Sequence, residues 1–259
     1  MGRRRRTARR NGAQIAVSAV SGVVALGVIG GLLALALQPG QPPAPPSPAV
    51  TAAEPAAPLS AEETPTSADT ATAAAVVDAE WVVRVAAATG IPERALSAYA
   101  AADLAARTRY GCAVGWNTLA GIGWVESHHG TLLGGAIDAD GVARPGIVGI
   151  PLDGTNETMA IPDTDGGSLD GDTMWDRAVG PMQFIPETWA IWGVDGDGDG
   201  VVDPHDIDDV ALTAARYLCQ ARGTLEGSDA WIAAIRSYND TDDYQLQVAE
   251  AATRYAAAG

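Results

Sequence analysis

The sequence has no lysine, one phenylalanine and two cysteines. Every base is therefore an arginine, and six of the 16 lie within the first ten residues. No further base occurs until Arg84. The remaining ten arginines stand against 32 Asp and Glu residues, and the 259-residue chain carries a formal net charge of −16. A body that acidic is a poor candidate for binding nucleic acid or an anionic membrane surface. The cysteines, Cys112 and Cys219, form neither a CxxC pair nor a Cys/His zinc pattern. Neither lies near the N-terminus, which excludes a lipid-modified cysteine there. No internal repeat is visible.

What is there begins with a membrane signature. Arg3–Arg6, Arg9 and Arg10 lie in an Arg-rich segment, 1–14, which is followed by an uncharged apolar run over 15–37. About 20 apolar residues span a bilayer. The arginines then face the cytoplasm and the rest lies outside. A cleaved signal peptide is the alternative, with Ala34-Leu35-Ala36 as its cleavage site, but the run exceeds the ~7–15 residues of a typical signal-peptide core. Residues 38–75 are rich in Pro, Ala, Thr and Ser and cannot bury enough apolar surface to fold. They read as a disordered linker that reaches about 100 Å when extended at ~3.1 Å per residue.

The folded domain spans 76–259. Helices are expected at 76–88 and 92–107, separated by Gly90 and Pro92. Another follows from Trp116. Residues 131–178 are rich in Gly, Asp and Pro and predict a long loop with a small β-hairpin, drawing on β-like pieces at 146–152 and 158–162. Further helices are expected at 187–192, 207–221, 229–237 and 243–257. The fold class is mostly α.

The stretch 116–130 reads WNTLAGIGWVESHHG. A helix sets Glu126 on one face with Leu119, Ile122 and Gly123. A carboxylate on a buried face ionises reluctantly, so its pKa should rise. A carboxylic acid that stays protonated near neutrality can act as a general acid. Gly121 and Gly123 each cost the helix about 1 kcal/mol relative to Ala, which suggests close packing against the backbone there. A core helix with a solvated Glu-Ser-His-His end gives the same local pattern.

Two cysteines outside the membrane suggest one Cys112–Cys219 disulfide. Residues 195–206, DGDGDGVVDPHD, fit an EF-hand loop. Asp195, Asp197 and Asp199 take positions 1, 3 and 5. Gly200 supplies the turn, Val201 a backbone carbonyl, Asp203 position 9 and Asp206 position 12. Five carboxylates in twelve residues repel unless a cation such as Ca²⁺ neutralises them. Position 12 is Asp rather than Glu, and Asp206 can also simply cap the next helix.

The order GIGWVESHHG, DRAVGPMQFIPETW, the Asp-rich loop and RSYND resembles the membrane-bound lytic murein transglycosylase B family in its actinobacterial-type form, over about residues 90–257. The resemblance implies a lysozyme-like α fold with an EF-hand-type calcium loop. It also implies cleavage of the β-1,4 bond between N-acetylmuramic acid and N-acetylglucosamine in peptidoglycan, leaving a 1,6-anhydro sugar. Glu126 matches the family's single acid/base. Gln183, before Phe184 and Pro186, matches the Gln that lines the saccharide cleft. Tyr238 and Asn239 match the Tyr-Asn pair beside the acid. The segment before Gln183 reads RAVGP where the better-known family form has Gly-Ala-Met-Gly. Asp138, Asp140 and Asp176 remain as second-carboxylate candidates for a hydrolysing, lysozyme-type alternative. A non-catalytic, calcium-stabilised peptidoglycan-binding protein is the third reading. The partner is a glycan strand, with the domain on the extracytoplasmic side of the cell membrane.

Overall fold

The computed structural model describes residues 77–156, 158–222 and 225–259. The expected Arg-rich segment, anchor and linker lie outside the described residues. No described helix is long and apolar enough to cross a membrane.

The domain is mostly helical with small sheets, and each helix starts and stops where local chemistry dictates. α1, Ala79–Thr89, is capped by Asp78, whose side chain accepts from the Trp81 amide at 2.7 Å. It ends at Gly90 in the left-handed region. α2, Glu93–Tyr110, runs three residues past the expected end because nothing breaks it before Gly111, whose φ is 63°. α3 is Trp116–Ser127, α4 Pro186–Trp192 and α5 Ile207–Arg222. α6 is Ser228–Tyr238, and α7, Asp242–Ala256, starts at a Thr241 side-chain cap.

α3 is the centre of the packing. It lies along α7 on one side and contacts α2 on another, while α2 packs along α5. The two α3 glycines permit this. A Cβ on Gly121 would stand 2.9 Å from the Val248 carbonyl oxygen of α7, and one on Gly123 would overlap the Tyr99 hydroxyl of α2. The buried His129 then ties the three helices together, 3.2 Å from the Tyr99 hydroxyl and 3.0 Å from that of Tyr255. Burial holds the His129 pKa down to about 3, so the ring is neutral. Asp103 of α2, fully buried, accepts from the Gly115 amide at 2.9 Å and fixes the start of α3.

The β structure differs from a single hairpin. β1, Ala136–Ile137, pairs with β2, Ala143–Arg144; β3, Val148–Pro151, pairs with β4, Arg177–Val179, both antiparallel. The expected strand at 158–162 makes only isolated bridges, Asp153 to Ala160 and Pro162 to Trp175. Pro162 has no N–H to donate to a ladder. The segment after it spends its donors locally, since Asp163 Oδ1 accepts from the amides of Asp165, Gly166 and Gly167.

Cys112 and Cys219 form the expected disulfide between the end of α2 and α5, across a sequence separation of 107. For a loop near 100 residues the chain-entropy model gives about 4–5 kcal/mol of stabilisation. Replacing both cysteines with serine should lower the unfolding free energy in denaturant titrations by that order while the far-UV spectrum stays helical. A loss below ~1 kcal/mol would show that the bridge restrains little.

Candidate active site

Glu126 lies one residue before the end of α3. The helix stops because His128, His129 and Gly130 all take positive φ, at 51°, 59° and 78°. Ser127 fixes this turn from inside. Its Oγ accepts from the Gly130 amide at 2.8 Å and donates to the Pro181 carbonyl at 2.6 Å. The end of α3 is thereby joined to the turn that carries Gln183.

Among the described residues the Glu126 carboxyl has one polar side-chain partner, the hydroxyl of Tyr244 on the first turn of α7, which donates to Oε1 at 2.6 Å. Burial pushes the Glu126 pKa up to about 7, and the Tyr244 hydrogen bond works against that rise. Tyr238 stacks nearly parallel to Tyr244, with ring centroids 6.3 Å apart. Its hydroxyl donates to the Met182 carbonyl at 2.7 Å. The Tyr238 pKa is raised by burial and then by the Glu126 charge, so the two groups feel each other directly.

Gln183 follows Met182 with φ at 51°, a conformation uncommon for a non-glycine residue. Its Nε2 donates to the Gly180 carbonyl at 3.0 Å. Its Oε1 faces Gly149 so closely that a Cβ there would come within 2.9 Å. An open groove of about 470 Å³ continues past Gly149, lined by Asp172, Met174 and Arg177 among others. Asn239 ends α6 half-buried, its amide on the Ile235 carbonyl at 3.0 Å. Glu126, Tyr238 and the Gln183 turn are thus brought together, with Asn239 adjoining through Tyr238.

Tyr244 was not singled out from the sequence. It is one apolar-face tyrosine of an amphipathic helix, and only the Thr241 cap beside it fixes its position. Two of the candidate second carboxylates, Asp138 and Asp176, are occupied elsewhere. Asp138 pairs with Arg144 at 2.6 Å and accepts the Asp140 amide. Asp176 is fully buried with both oxygens bonded to Thr164, at 2.8 and 2.7 Å.

The Asp-rich loop joins α4 to α5. Asp195 accepts from Gly198 and Gly200, Asp199 from Val201 and Asp203 from His205. The last position of the twelve-residue register is Asp206. Asp206 caps α5 by accepting from the Asp208 amide at 2.8 Å. Because the helix starts only at Ile207, the residue that reaches back into the loop from its first turn is Asp209. It accepts from the amides of Gly196 at 2.6 Å and Asp203 at 2.7 Å. Asp195, Asp197 and Asp209 bring carboxylate oxygens within 4.8 Å of one another, and so do Asp197, Asp206 and Asp208. Asp199, Val201 and Asp203 belong to neither group. Burial, aided by neighbouring carboxylates, pushes Asp206 up to about 6 and Asp209 to about 7. Clustered, desolvated oxygen donors of this kind fit a hard divalent cation such as Ca²⁺.

Residues 164–233 match the family model described as the transglycosylase SLT domain. The match contains Gln183 and the Asp-rich loop, and excludes Glu126, Tyr238 and Tyr244. No curated protein matches the sequence. Among solved structures, the chain is similar to the Escherichia coli lytic transglycosylase Slt35 in complex with bulgecin A, at 15% identity and a TM-score of 0.42, covering 68% of this chain and 78% of that one. Slt35 in complex with calcium gives the same identity, TM-score and coverage. SltB3 from Pseudomonas aeruginosa, in complex with NAG-anhNAM-pentapeptide, is 17% identical with a TM-score of 0.36, covering 65% of this chain and 64% of that one.

The Glu126–Tyr244 contact is testable without any substrate. Carbon-detected NMR of labelled glutamate should place the Glu126 midpoint near pH 7. Tyr244→Phe removes the donor that favours the carboxylate, so the midpoint should move higher. A wild-type midpoint in the ordinary range of 4–5, or a downward move in the variant, would contradict this account.

Proposed function

We propose that the chain is a lytic transglycosylase that cleaves the β-1,4 bond between N-acetylmuramic acid and N-acetylglucosamine in peptidoglycan. The observation that carries this reading is one carboxyl, Glu126, with its pKa raised by burial, set among tyrosines beside the Gln183 turn, with a side-chain hydrogen bond from Tyr244 and, among the described residues, none from a second acid. The SLT-domain match over 164–233 supports it from the opposite wall of the site. The fold is then lysozyme-like and of the membrane-bound transglycosylase B type.

The chemistry follows from one group acting twice. Near neutrality a large share of Glu126 is protonated, and it gives its proton to the leaving glycosidic oxygen. The sugar passes through an oxocarbenium-like state, assisted by its own acetamido group. Glu126, now ionised, takes the proton of the C6 hydroxyl, and that oxygen closes the 1,6-anhydro ring. Tyr244 helps Glu126 carry charge between these steps, because its hydrogen bond favours the carboxylate. Gln183, Tyr238 and Asn239 line the cleft. In this proposal the 15–37 run anchors the domain, and 38–75 gives it reach across the extracytoplasmic space.

Ca²⁺ would be held by Asp195, Asp197 and Asp209, with Asp206 near by. It would supply structural charge neutralisation and no reacting group. The site joins α4, which follows Gln183 directly, to α5, which carries Cys219.

Glu126→Gln should keep the fold and lose more than the ~10²–10⁴ typical of an acid–base group in digests of purified cell wall. The wild-type rate should fall as pH rises through about 7, because the first step needs the protonated acid. A pKa raised in the folded state stabilises below the unfolded glutamate value near 4.3 and loses that contribution as pH rises through about 7. Glu126→Gln should therefore melt above wild type at pH 8 and close to it at pH 4. Retention of most of the rate by the variant would refute the assignment.

Calcium at a hundredfold excess over Kd should stabilise the fold by about 2.7 kcal/mol. Thermal melts with millimolar Ca²⁺ and with chelator should differ for wild type and coincide for Asp209→Ala. Coincident wild-type melts would remove the ion from this account.

A further inference from the structure

The carboxylates at the α4–α5 junction form two groups, and both use Asp197. One is Asp195, Asp197 and Asp209; the other is Asp197, Asp206 and Asp208. The second already contains a cation. Arg94, in the first turn of α2, donates from Nη1 to Asp208 Oδ1 at 3.1 Å and from Nη2 to Asp208 Oδ2. The charges of Asp206 and Asp197 act on the same guanidinium. Gly141 closes over the group with φ at 99°. A Cβ there would come 2.5 Å from Arg94 Nη2, 2.8 Å from Asp206 Oδ2 and 3.1 Å from Asp208 Oδ2. Its carbonyl accepts the Ile207 amide at 2.9 Å, which seals the junction against the start of α5.

We propose that Arg94 is the resident cation of this second group, holding the place a divalent ion would otherwise take, so that the loop binds one metal ion rather than two. Three carboxylates packed this closely repel one another and draw in positive charge. A guanidinium is charged at every working pH and presents its donors in a fixed fork. Being covalently tethered, it is present at any calcium concentration. The arrangement also keeps α2 joined to the loop whether or not the first group holds its ion. α2 carries Tyr99, which packs against Gly123 three residues before Glu126. The inference rests on the calcium reading for the number of ions in the wild type; the difference made by Arg94 does not.

The test is ion stoichiometry, measured by calorimetric Ca²⁺ titration and by elemental analysis after dialysis, on the full chain. Arg94→Gln should bind one equivalent more than wild type, and Arg94→Lys, which keeps the charge, should match wild type. Asp208→Asn in the otherwise native chain should leave the count unchanged, and it decides the question should Arg94→Gln not fold. An unchanged count in a folded Arg94→Gln, two ions in the wild type, or loss of one equivalent in Asp208→Asn would each overturn the proposal. A wild type that binds no ion would instead overturn the calcium reading, and the difference between Arg94→Gln and wild type would still decide the role of Arg94.

Discussion

Among the described residues the Glu126 carboxyl meets one hydrogen-bond donor side chain, Tyr244, at the end of a helix buried along most of its length. Desolvation raises the pKa of that carboxyl and the tyrosine works against the rise, leaving it near 7, where both protonation states are populated. Much of the rest of the domain keeps this balance in place. Gly121 and Gly123 let α7 and α2 close on α3, so that Tyr244 arrives from one side and Tyr99 seals another. His129, kept neutral by burial, locks the three helices where α3 ends. Ser127 then couples that end to the Gln183 turn. A single group able to give and then take one proton needs this intermediate pKa.

The second half of the domain positions the opposite wall. Gln183 precedes α4, α4 leads into the Asp-rich loop, and the loop feeds α5, which the disulfide pins to the end of α2. Carboxylate repulsion in the loop is met in two ways, by a donor set suited to a hard cation and by Arg94 reaching in from α2. The domain therefore has a covalent tie and an electrostatic tie between the same two helices, α2 and α5, on which α3 is stacked.

Much of this was legible in the sequence. The paired glycines announced close approach, the apolar face announced a desolvated Glu126, and two cysteines announced one disulfide. What escaped has physical reasons. Tyr244 reaches Glu126 only through the packing of α7 on α3, a contact 118 residues apart in the chain. Asp209 reaches back into the loop from the first turn of the exit helix, which begins at Ile207, and spacing within the motif does not reveal where that helix starts. β3 skips the nearer segment for β4 because Pro162 and the Asp-rich turn after it cannot extend a ladder. The Arg94 contact with Asp208 is equally non-local, 114 residues apart.

The central claim is that one carboxyl performs both proton transfers and that no water enters the product. Digesting purified peptidoglycan in ¹⁸O-labelled water and weighing the muropeptides by mass spectrometry tests it directly. The account predicts products one water lighter than hydrolysis products, ending in a 1,6-anhydro sugar and carrying no ¹⁸O. Reducing-end sugars bearing one ¹⁸O would contradict it and make the enzyme a hydrolase.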